Sequence, residues 1–434
     1  MYKQAIVGTV LSLLAASATP ALAQSQPFQG LFGAQVGAAP DRTLNLASSL
    51  FGVYDTNPPR LVRNLGPNTS RPDIYSSDLR TGLWYAQRGE STSFAANGTM
   101  AALYYPQLAN IMRWSGAGAV SLAKTIRRGR FGVDQAARYS PYAHLRAIPI
   151  PNAPAASLAD IATSDVTLTA SSRESYQYNT ALNADYRLTP RTMLSSSYQH
   201  EYLDFVPVGL FDWKRQDANL SFARSLTGKT AFVTGYAYHR REFQGDRAPL
   251  SRFDINIGVN HNGALPFSSR TTFTFAVGST VLSRVRTVGA VLSDDRFIRL
   301  IGNADLEHQL GQAWHVGVFY LRQVQYIEGI SDVFLADSVT GNVRGFLNPR
   351  IEVRATAGYA TAPLRFGTRR RLYDSSASTA QMRIAISRGL AAQAEYVYYR
   401  YLFSDAVTLQ TGTPARENRH VFRVGLTTWV PFLQ

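Results

Sequence analysis

Between positions 176 and 188 the chain reads Tyr176-Gln-Tyr178-Asn-Thr180-Ala-Leu182-Asn-Ala184-Asp-Tyr186-Arg-Leu188. The even positions are aromatic, apolar or small, while the odd ones are Gln177, Asn179, Ala181, Asn183, Asp185 and Arg187. Side chains of an extended strand point alternately to opposite faces, so this segment reads as a strand between two unlike surroundings. The split recurs in Phe253, Ile255, Ile257 and Val259 against Asp254, Asn256, Gly258 and Asn260. It returns in Ile351, Val353, Ala355, Ala357 and Tyr359 against Glu352, Arg354, Thr356 and Gly358. Met382, Ile384 and Ile386 oppose Gln381, Arg383 and Ala385, and Phe422, Val424 and Leu426 oppose Arg423, Gly425 and Thr427.

Each segment has the length at which a tilted strand crosses a bilayer. Short turns punctuate the run: Leu188-Thr-Pro-Arg-Thr192, Leu226-Thr-Gly-Lys-Thr230, Leu265-Pro-Phe-Ser-Ser-Arg-Thr271, Leu310-Gly-Gln-Ala-Trp314, Leu347-Asn-Pro-Arg-Ile351 and Ser387-Arg-Gly-Leu-Ala391. They recur about every 40 residues, the length of one hairpin plus one longer connection. A soluble sandwich also alternates, and a propeller repeats at this length. Long strands, alternating short and long connections, and rings at strand ends (Tyr176 and Tyr178 with Tyr186, Trp314 with Tyr326) favour a transmembrane barrel with two aromatic girdles.

The alternation predicts an all-β antiparallel barrel of eighteen strands, within a range of sixteen to twenty, with both termini periplasmic. The strands fall near 42–54, 77–88, 92–105, 111–124, 129–141, 173–188, 191–203, 213–226, 229–242, 251–262, 270–281, 296–309, 313–327, 334–346, 350–361, 376–387, 390–403 and 419–431. The segment 334–346 is the least regular, because Asp337, Gly341, Asn342 and Gly345 interrupt it.

Composition agrees. Mean hydropathy is −0.13, too polar for a bundle of membrane helices, and after Gln24 no stretch approaches the ~18 apolar residues of a spanning helix. The 434 residues include 23 Tyr and 22 Phe but no Cys, which excludes disulfides, thiolate metal sites and a Cys nucleophile. Residues 1–23 have the form of a cleaved signal peptide: Lys3, an apolar run from Ala5 to about Ala16, and Ala21-Leu22-Ala23 before Gln24. Residues 24–41 then read as a periplasmic linker and 42–434 as the barrel.

Formal charge is +15, and only Lys3, Lys124, Lys214 and Lys229 are lysines among the 44 basic residues. Arginine excess has two readings, genomic codon bias and anion contact through bidentate guanidinium forks. Parity assigns Arg187, Arg241, Arg299, Arg354, Arg383 and Arg423 to the lumen. Asp185, Asp217, Asp254, Glu201, Asp305, Glu307, Glu352 and Glu395 are counterweights there. Structural charge pairs across the wall and a ladder passing anions both remain open. Arg365, Arg369, Arg370 and Arg371 are placed together in one extracellular loop, and Arg284 and Arg286 in another, where lipopolysaccharide phosphates or solutes are the expected contacts. The stretch 142–172, with Pro149, Pro151 and Pro154, is a long connection that either constricts the lumen or caps the mouth.

The seven histidines are scattered, with no HExxH, nucleophile elbow or phosphate loop. Ser196 and His200 share one strand face but lie roughly 13 Å apart, beyond the reach of a nucleophile and its base. No catalytic residue, cofactor, metal or nucleic-acid partner is expected. The ending Trp429-Val-Pro-Phe432-Leu-Gln puts an aromatic near the end of the last strand, the feature outer-membrane assembly machinery reads.

Several motifs together resemble the outer-membrane β-barrel porin type 2 family of Gram-negative bacteria. They are Gly52-Val-Tyr54-Asp55-Thr-Asn57, Tyr139-Ser-Pro141-Tyr142, Leu188-Thr-Pro-Arg-Thr192, Leu265-Pro-Phe-Ser-Ser-Arg270-Thr-Thr-Phe273 and Ala276-Val-Gly278-Ser-Thr280. The resemblance runs from about 42 to 434 and implies an outer-membrane barrel. Some members look associated with exopolysaccharide loci. Three functions follow as expectations: a passive channel for small hydrophilic, anion-favoured solutes, an export conduit for an acidic exopolysaccharide, or a structural envelope barrel.

Overall fold

A computed structural model describes residues 41–56, 74–106, 111–141, 143–145, 168–171, 174–206, 212–243, 250–265, 268–288, 291–326, 333–363, 371–387, 389–405 and 415–433. Twenty strands occupy nearly all of them. They are β1 (Arg42–Asp55), β2 (Ile74–Arg88), β3 (Thr92–Tyr105), β4 (Ile111–Ile126), β5 (Gly129–Ser140), β6 (Ala143–Leu145), β7 (Leu168–Ser171), β8 (Glu174–Thr189), β9 (Thr192–Val206) and β10 (Trp213–Ser225). The second half comprises β11 (Thr230–Phe243), β12 (Leu250–Leu265), β13 (Ser268–Val288), β14 (Val291–Leu310), β15 (Trp314–Tyr326), β16 (Val333–Asn348), β17 (Ile351–Pro363), β18 (Arg371–Ala385), β19 (Leu390–Phe403) and β20 (Arg416–Leu433).

Eighteen of these form one antiparallel sheet in which β1 pairs with both β2 and β20, so the sheet closes on itself. The other two, β6 and β7, make a small separate hairpin within the long 142–172 connection. Eighteen strands about 4.8 Å apart, tilted by about 40°, close on a backbone cylinder about 35 Å across.

Polarity is inverted relative to a protein in water. Leu182, Tyr186 and Leu188 of β8, Ile255, Ile257 and Val259 of β12, Met382 and Ile384 of β18, and Phe422, Val424 and Leu426 of β20 are all exposed. Asp254, Glu352, Gln381, Arg383 and Glu395, on the opposite parity, are buried. An apolar belt outside a closed sheet leaves no backbone group unpaired in hydrocarbon, which is the construction of a bilayer-spanning barrel. Exposed Tyr75, Tyr104 and Tyr178 lie near the loop ends of their strands and Tyr186 lies near a turn end. Paired rings reinforce the loop-end belt, with Tyr139 5.1 Å from Tyr176 and Tyr178 6.5 Å from Tyr202.

Every second connection, starting with that between β2 and β3, is short, and these fall at one end together with Arg42 and Leu433. Their sequence chemistry is local: Thr227 Oγ1 accepts from the amides of Lys229 and Thr230, and Asn348 Oδ1 from those of Arg350 and Ile351. The closing seam is also tied by side chains. Arg419 donates to Asp55 at 3.0, 3.1 and 2.5 Å, and Ser49 and Thr427 hydroxyls lie 2.9 Å apart.

All eighteen expected segments are strands of the barrel. Three ends differ. The strands β13 and β14 run 21 and 20 residues and are separated by only two residues, so Arg284 and Arg286 lie in β13 rather than in a loop. Arg371 opens β18 and pairs with Pro363, so it also leaves the expected loop. Alternation marks a strand only where one face meets hydrocarbon. Beyond that zone both faces are wet, so a polar strand end reads as loop. Arg365, Arg369 and Arg370 lie outside the described residues, as do the signal segment 1–23 and, except for Asp41, the linker 24–41.

Candidate functional site

Register across β16 to β20 builds a charged band on the inner wall. One row of directly opposed residues runs Arg344–Arg354–Gln381–Glu395–Arg423, one residue per strand. The next row toward the turn end runs Phe346–Glu352–Arg383–Gln393–Gly425. Opposed side chains on one face sit about 5 Å apart, so the two rows form a single patch.

Glu352 is its centre. This carboxylate, 2% exposed, accepts from Arg354 Nε at 2.8 Å and Arg344 Nε at 2.9 Å, and faces Arg383 Nη2 at 3.0 Å. Three guanidiniums therefore share one carboxylate. Arg383 is buried, Arg354 is largely covered, and the Arg344 side chain is 42% exposed. The neighbouring pairs are balanced one to one: Arg423 with Glu395 at 3.5 Å, Arg80 with Asp78 at 2.6 Å and Arg419 with Asp55 at 2.5 Å.

Six strands around the ring the inner wall carries both signs of charge. Arg215 bridges Asp217 at 2.5 Å and Glu201 at 3.5 Å, and Glu201 also accepts from Gln177. His239 spans Asp217 at 2.7 Å and Asp254 at 3.1 Å, and Asp254 accepts from buried Thr280. Nearby, the Arg241 guanidinium stacks 4.1 Å over the ring of Trp213. Positive charge thus predominates on the β16–β18 side, whereas carboxylates and cations are matched on the β10–β12 side.

The six arginines assigned to the lumen all occupy inward parity, but they do not form one file. Arg354 and Arg383 share Glu352, and Arg423 lies in the same band. Arg241 belongs to the other wall. Arg187 lies near the turn end of β8, and Arg299 donates to the Ile298 carbonyl in β14. Of the expected counterweights, Asp217, Asp254, Glu201, Glu352 and Glu395 are engaged as described. Asp185 pairs in register with Ser195, Asp305 with Phe319 and Glu307 with Gly317.

Sequence reading missed Arg344, Gln381, Arg80, Arg215 and His239. Arg344 sits in the irregular segment, whose irregularity has a local cause: a Cβ on Gly345 would lie 2.1 Å from the Trp314 indole, so the glycine makes room for that ring. Asp337, which also broke the pattern, faces outward and is held by the Tyr320 hydroxyl at 2.7 Å and by Arg322 at 3.2 Å. Parity already set Gln381 opposite the apolar face without giving it a role, and it would have placed Arg344 inside once the register was fixed. Among the described residues no group of three acidic or histidine side chains is arranged to hold a metal ion.

No family model and no curated protein matches the sequence. Solved structures do. OccAB3 of Acinetobacter baumannii aligns with a TM-score of 0.44 and 11% identity over 90% of this chain and 100% of its own. Pseudomonas aeruginosa OccK2 (OpdF), solved in complex with glucuronate, aligns at 0.45 and 8% identity over 91% and 99%. The FrpB iron transporter from Neisseria meningitidis aligns at 0.46 and 7% identity over 91% and 82%. By its own strand pairing the chain is a closed 18-stranded antiparallel barrel with an apolar exterior and a charged interior.

Proposed function

We propose that the chain is an outer-membrane channel that passes small hydrophilic solutes by diffusion and favours anions. The observation that carries this reading is the patch around Glu352, where three arginines to one carboxylate leave a local surplus of two positive charges on an inward wall. A barrel of this strand number is wide enough for an aqueous lumen. Fixed charge on a low-dielectric wall focuses its field into such a lumen and enriches the opposite ion.

The shared position of the short turns and both chain ends favours a periplasmic location for them, with the longer connections at the cell surface. Exposed Arg400 and Arg416, outward-facing on adjacent strands at the loop end, suit the phosphates of lipopolysaccharide. The aromatic-rich end of β20 suits the assembly machinery. A polymer conduit would need exposed ring faces along its path. Tyr373, Tyr399, Tyr401 and Phe403 do form an inner file, with centroids 5.2 to 6.0 Å apart, yet all four are buried and act as wall packing. This favours diffusion over export.

Single-channel conductance in a planar bilayer tests the reading. Discrete ohmic steps are expected, and a silent, correctly folded barrel would instead favour a structural role.

A further inference from the structure

We infer, resting on the reading that places the short turns at the periplasmic side, that the turn end of the barrel from β4 to β11 is a docking surface for anionic phospholipid headgroups of the phosphatidylglycerol type.

A repeated turn carries it. Leu188-Thr-Pro-Arg191, Leu226-Thr-Gly-Lys229 and Leu347-Asn-Pro-Arg350 share one form, an exposed leucine followed three positions later by an exposed cation. In each, the residue after the leucine holds the amide of that cation: Thr189 Oγ1 accepts from Arg191 at 3.3 Å, Thr227 Oγ1 from Lys229 at 3.2 Å and Asn348 Oδ1 from Arg350 at 2.8 Å. The β4–β5 turn reaches the same arrangement with exposed Ile126 followed by Arg127 and Arg128. Ile126, Leu188 and Leu347 stand on the lipid-facing parity of their strands.

Charge is concentrated on one arc. Three of these turns are neighbours in the sheet, joining β4 to β5, β8 to β9 and β10 to β11. Lys124 and Arg224 add exposed cations on the lipid-facing parity, in register with Phe131 and Phe232. The carboxylates nearest these turns, Asp134 and Asp185, stand on the inward parity. Arg127, Arg128, Arg191 and Arg224 are exposed and form no ion pair among the described residues. At the loop end, by contrast, outward cations meet outward carboxylates, Arg240 with Glu242 at 2.7 Å and Arg322 with Asp337 at 3.2 Å.

Depth selects a lipid over a soluble partner. Turns this short keep their cations level with the strand ends, next to apolar side chains that face hydrocarbon, which is the depth of the headgroup phosphates. Long basic side chains lay their stems along apolar surface and extend the charge to that level. Guanidinium forks take a phosphodiester through two parallel hydrogen bonds. A zwitterionic headgroup balances its own phosphate with an ammonium, so the uncompensated charge of phosphatidylglycerol is the better match.

The test is the association of spin-labelled phosphatidylglycerol, against spin-labelled phosphatidylcholine, with the full-length barrel in phosphatidylcholine vesicles. One cation near an anionic surface is worth about fivefold, so phosphatidylglycerol should be preferred by about fivefold or more at about 0.1 M salt. At about 1 M salt, where exposed charges are screened, the ratio should fall below about twofold. The combined variant Arg127→Gln, Arg128→Gln, Arg191→Gln and Lys229→Gln should show that lower ratio at both salt concentrations. Equal association of the two lipids with the unmodified protein, a preference that survives the higher salt, or one that the variant retains overturns the assignment; the first result would leave these cations to a soluble acidic protein. If the variant does not fold, the salt comparison on the unmodified barrel decides alone. The two readings fail separately: a silent barrel that still enriches phosphatidylglycerol contradicts only the proposed channel, whereas an anion-selective channel without lipid preference contradicts only this surface. The chain has no Cys, so Gly228→Cys, at a position with open space for a Cβ, checks the placement of the turns. It should resist a membrane-impermeant maleimide on intact cells, and labelling would overturn the periplasmic leaflet as the site of docking.

Discussion

Replacing Glu352 with Gln keeps the side-chain volume and removes the one charge that three guanidiniums share. Two charges about 4 Å apart attract by about 4 kcal/mol at the effective dielectric of a protein surface, around 20. Arg344 and Arg354 retain solvent access, at 42% and 17% of their side chains, so water repays most of their loss. Arg383 is 3% exposed and cannot rehydrate in place. Breaking one such buried pair costs about 3 to 5 kcal/mol, so Glu352→Gln should destabilise the barrel by about 4 kcal/mol. Urea unfolding after refolding into phospholipid vesicles, followed by Trp fluorescence, reads this directly. The same substitution raises the local surplus from two to three positive charges, so the surviving folded barrel should prefer anions more strongly. A destabilisation under about 1 kcal/mol would mean that the guanidiniums are already hydrated, and the description of the patch as a buried anchor with an exposed lip would be wrong.

Three further outcomes follow from the wall itself. Ile257 is 60% exposed on the lipid face, so Ile257→Arg should cost about 2 to 4 kcal/mol near the bilayer midplane, whereas Asn256→Arg, one position earlier in the strand, should be mild; equal losses on refolding would place the register one residue out. At the seam, a Cβ on Gly425 would lie 2.0 Å from the Leu50 carbonyl oxygen. Gly425→Val should therefore prevent closure of β20 on β1, while Gly52→Ala, whose nearest neighbour is 3.9 Å away, should close normally; a compact, heat-modifiable Gly425→Val band would refute this. The unmodified protein should fractionate with the outer membrane and migrate faster on gels before boiling, and recovery from the soluble periplasm would contradict the barrel reading in cells.

Period-two alternation revealed every barrel strand, because each has one face in an apolar medium and a one-residue slip would invert all its side chains. It recovered β3 and β19 with the observed limits. It failed at β13, β14 and the start of β18, where polar residues on both faces give no signal. The candidate site was legible only in part. Parity put Arg354 and Arg383 inside, but nothing in the sequence says that Glu352 meets Arg383 rather than another arginine. That contact depends on the β17–β18 register, which brings together residues 31 apart in sequence. Arg344 was hidden by Gly345 and Asp337, whose reasons, the Trp314 ring and the Tyr320 hydroxyl, lie on the neighbouring strand.

The central claim, that an aqueous lumen carries a net cationic field, is tested most directly by the reversal potential of the reconstituted barrel in a KCl gradient. Chloride should dominate, and more so at low salt, because the screening length is about 10 Å at 0.1 M but about 3 Å at 1 M. Changing Arg299, Arg354 and Arg383 together to Gln should destabilise the barrel, because Glu352 loses two partners, and should remove most of the preference in the fraction that folds. A reversal potential at zero or on the potassium side in the unmodified protein, or one that the triple substitution leaves unchanged, would show that these arginines are wall structure and set no selectivity.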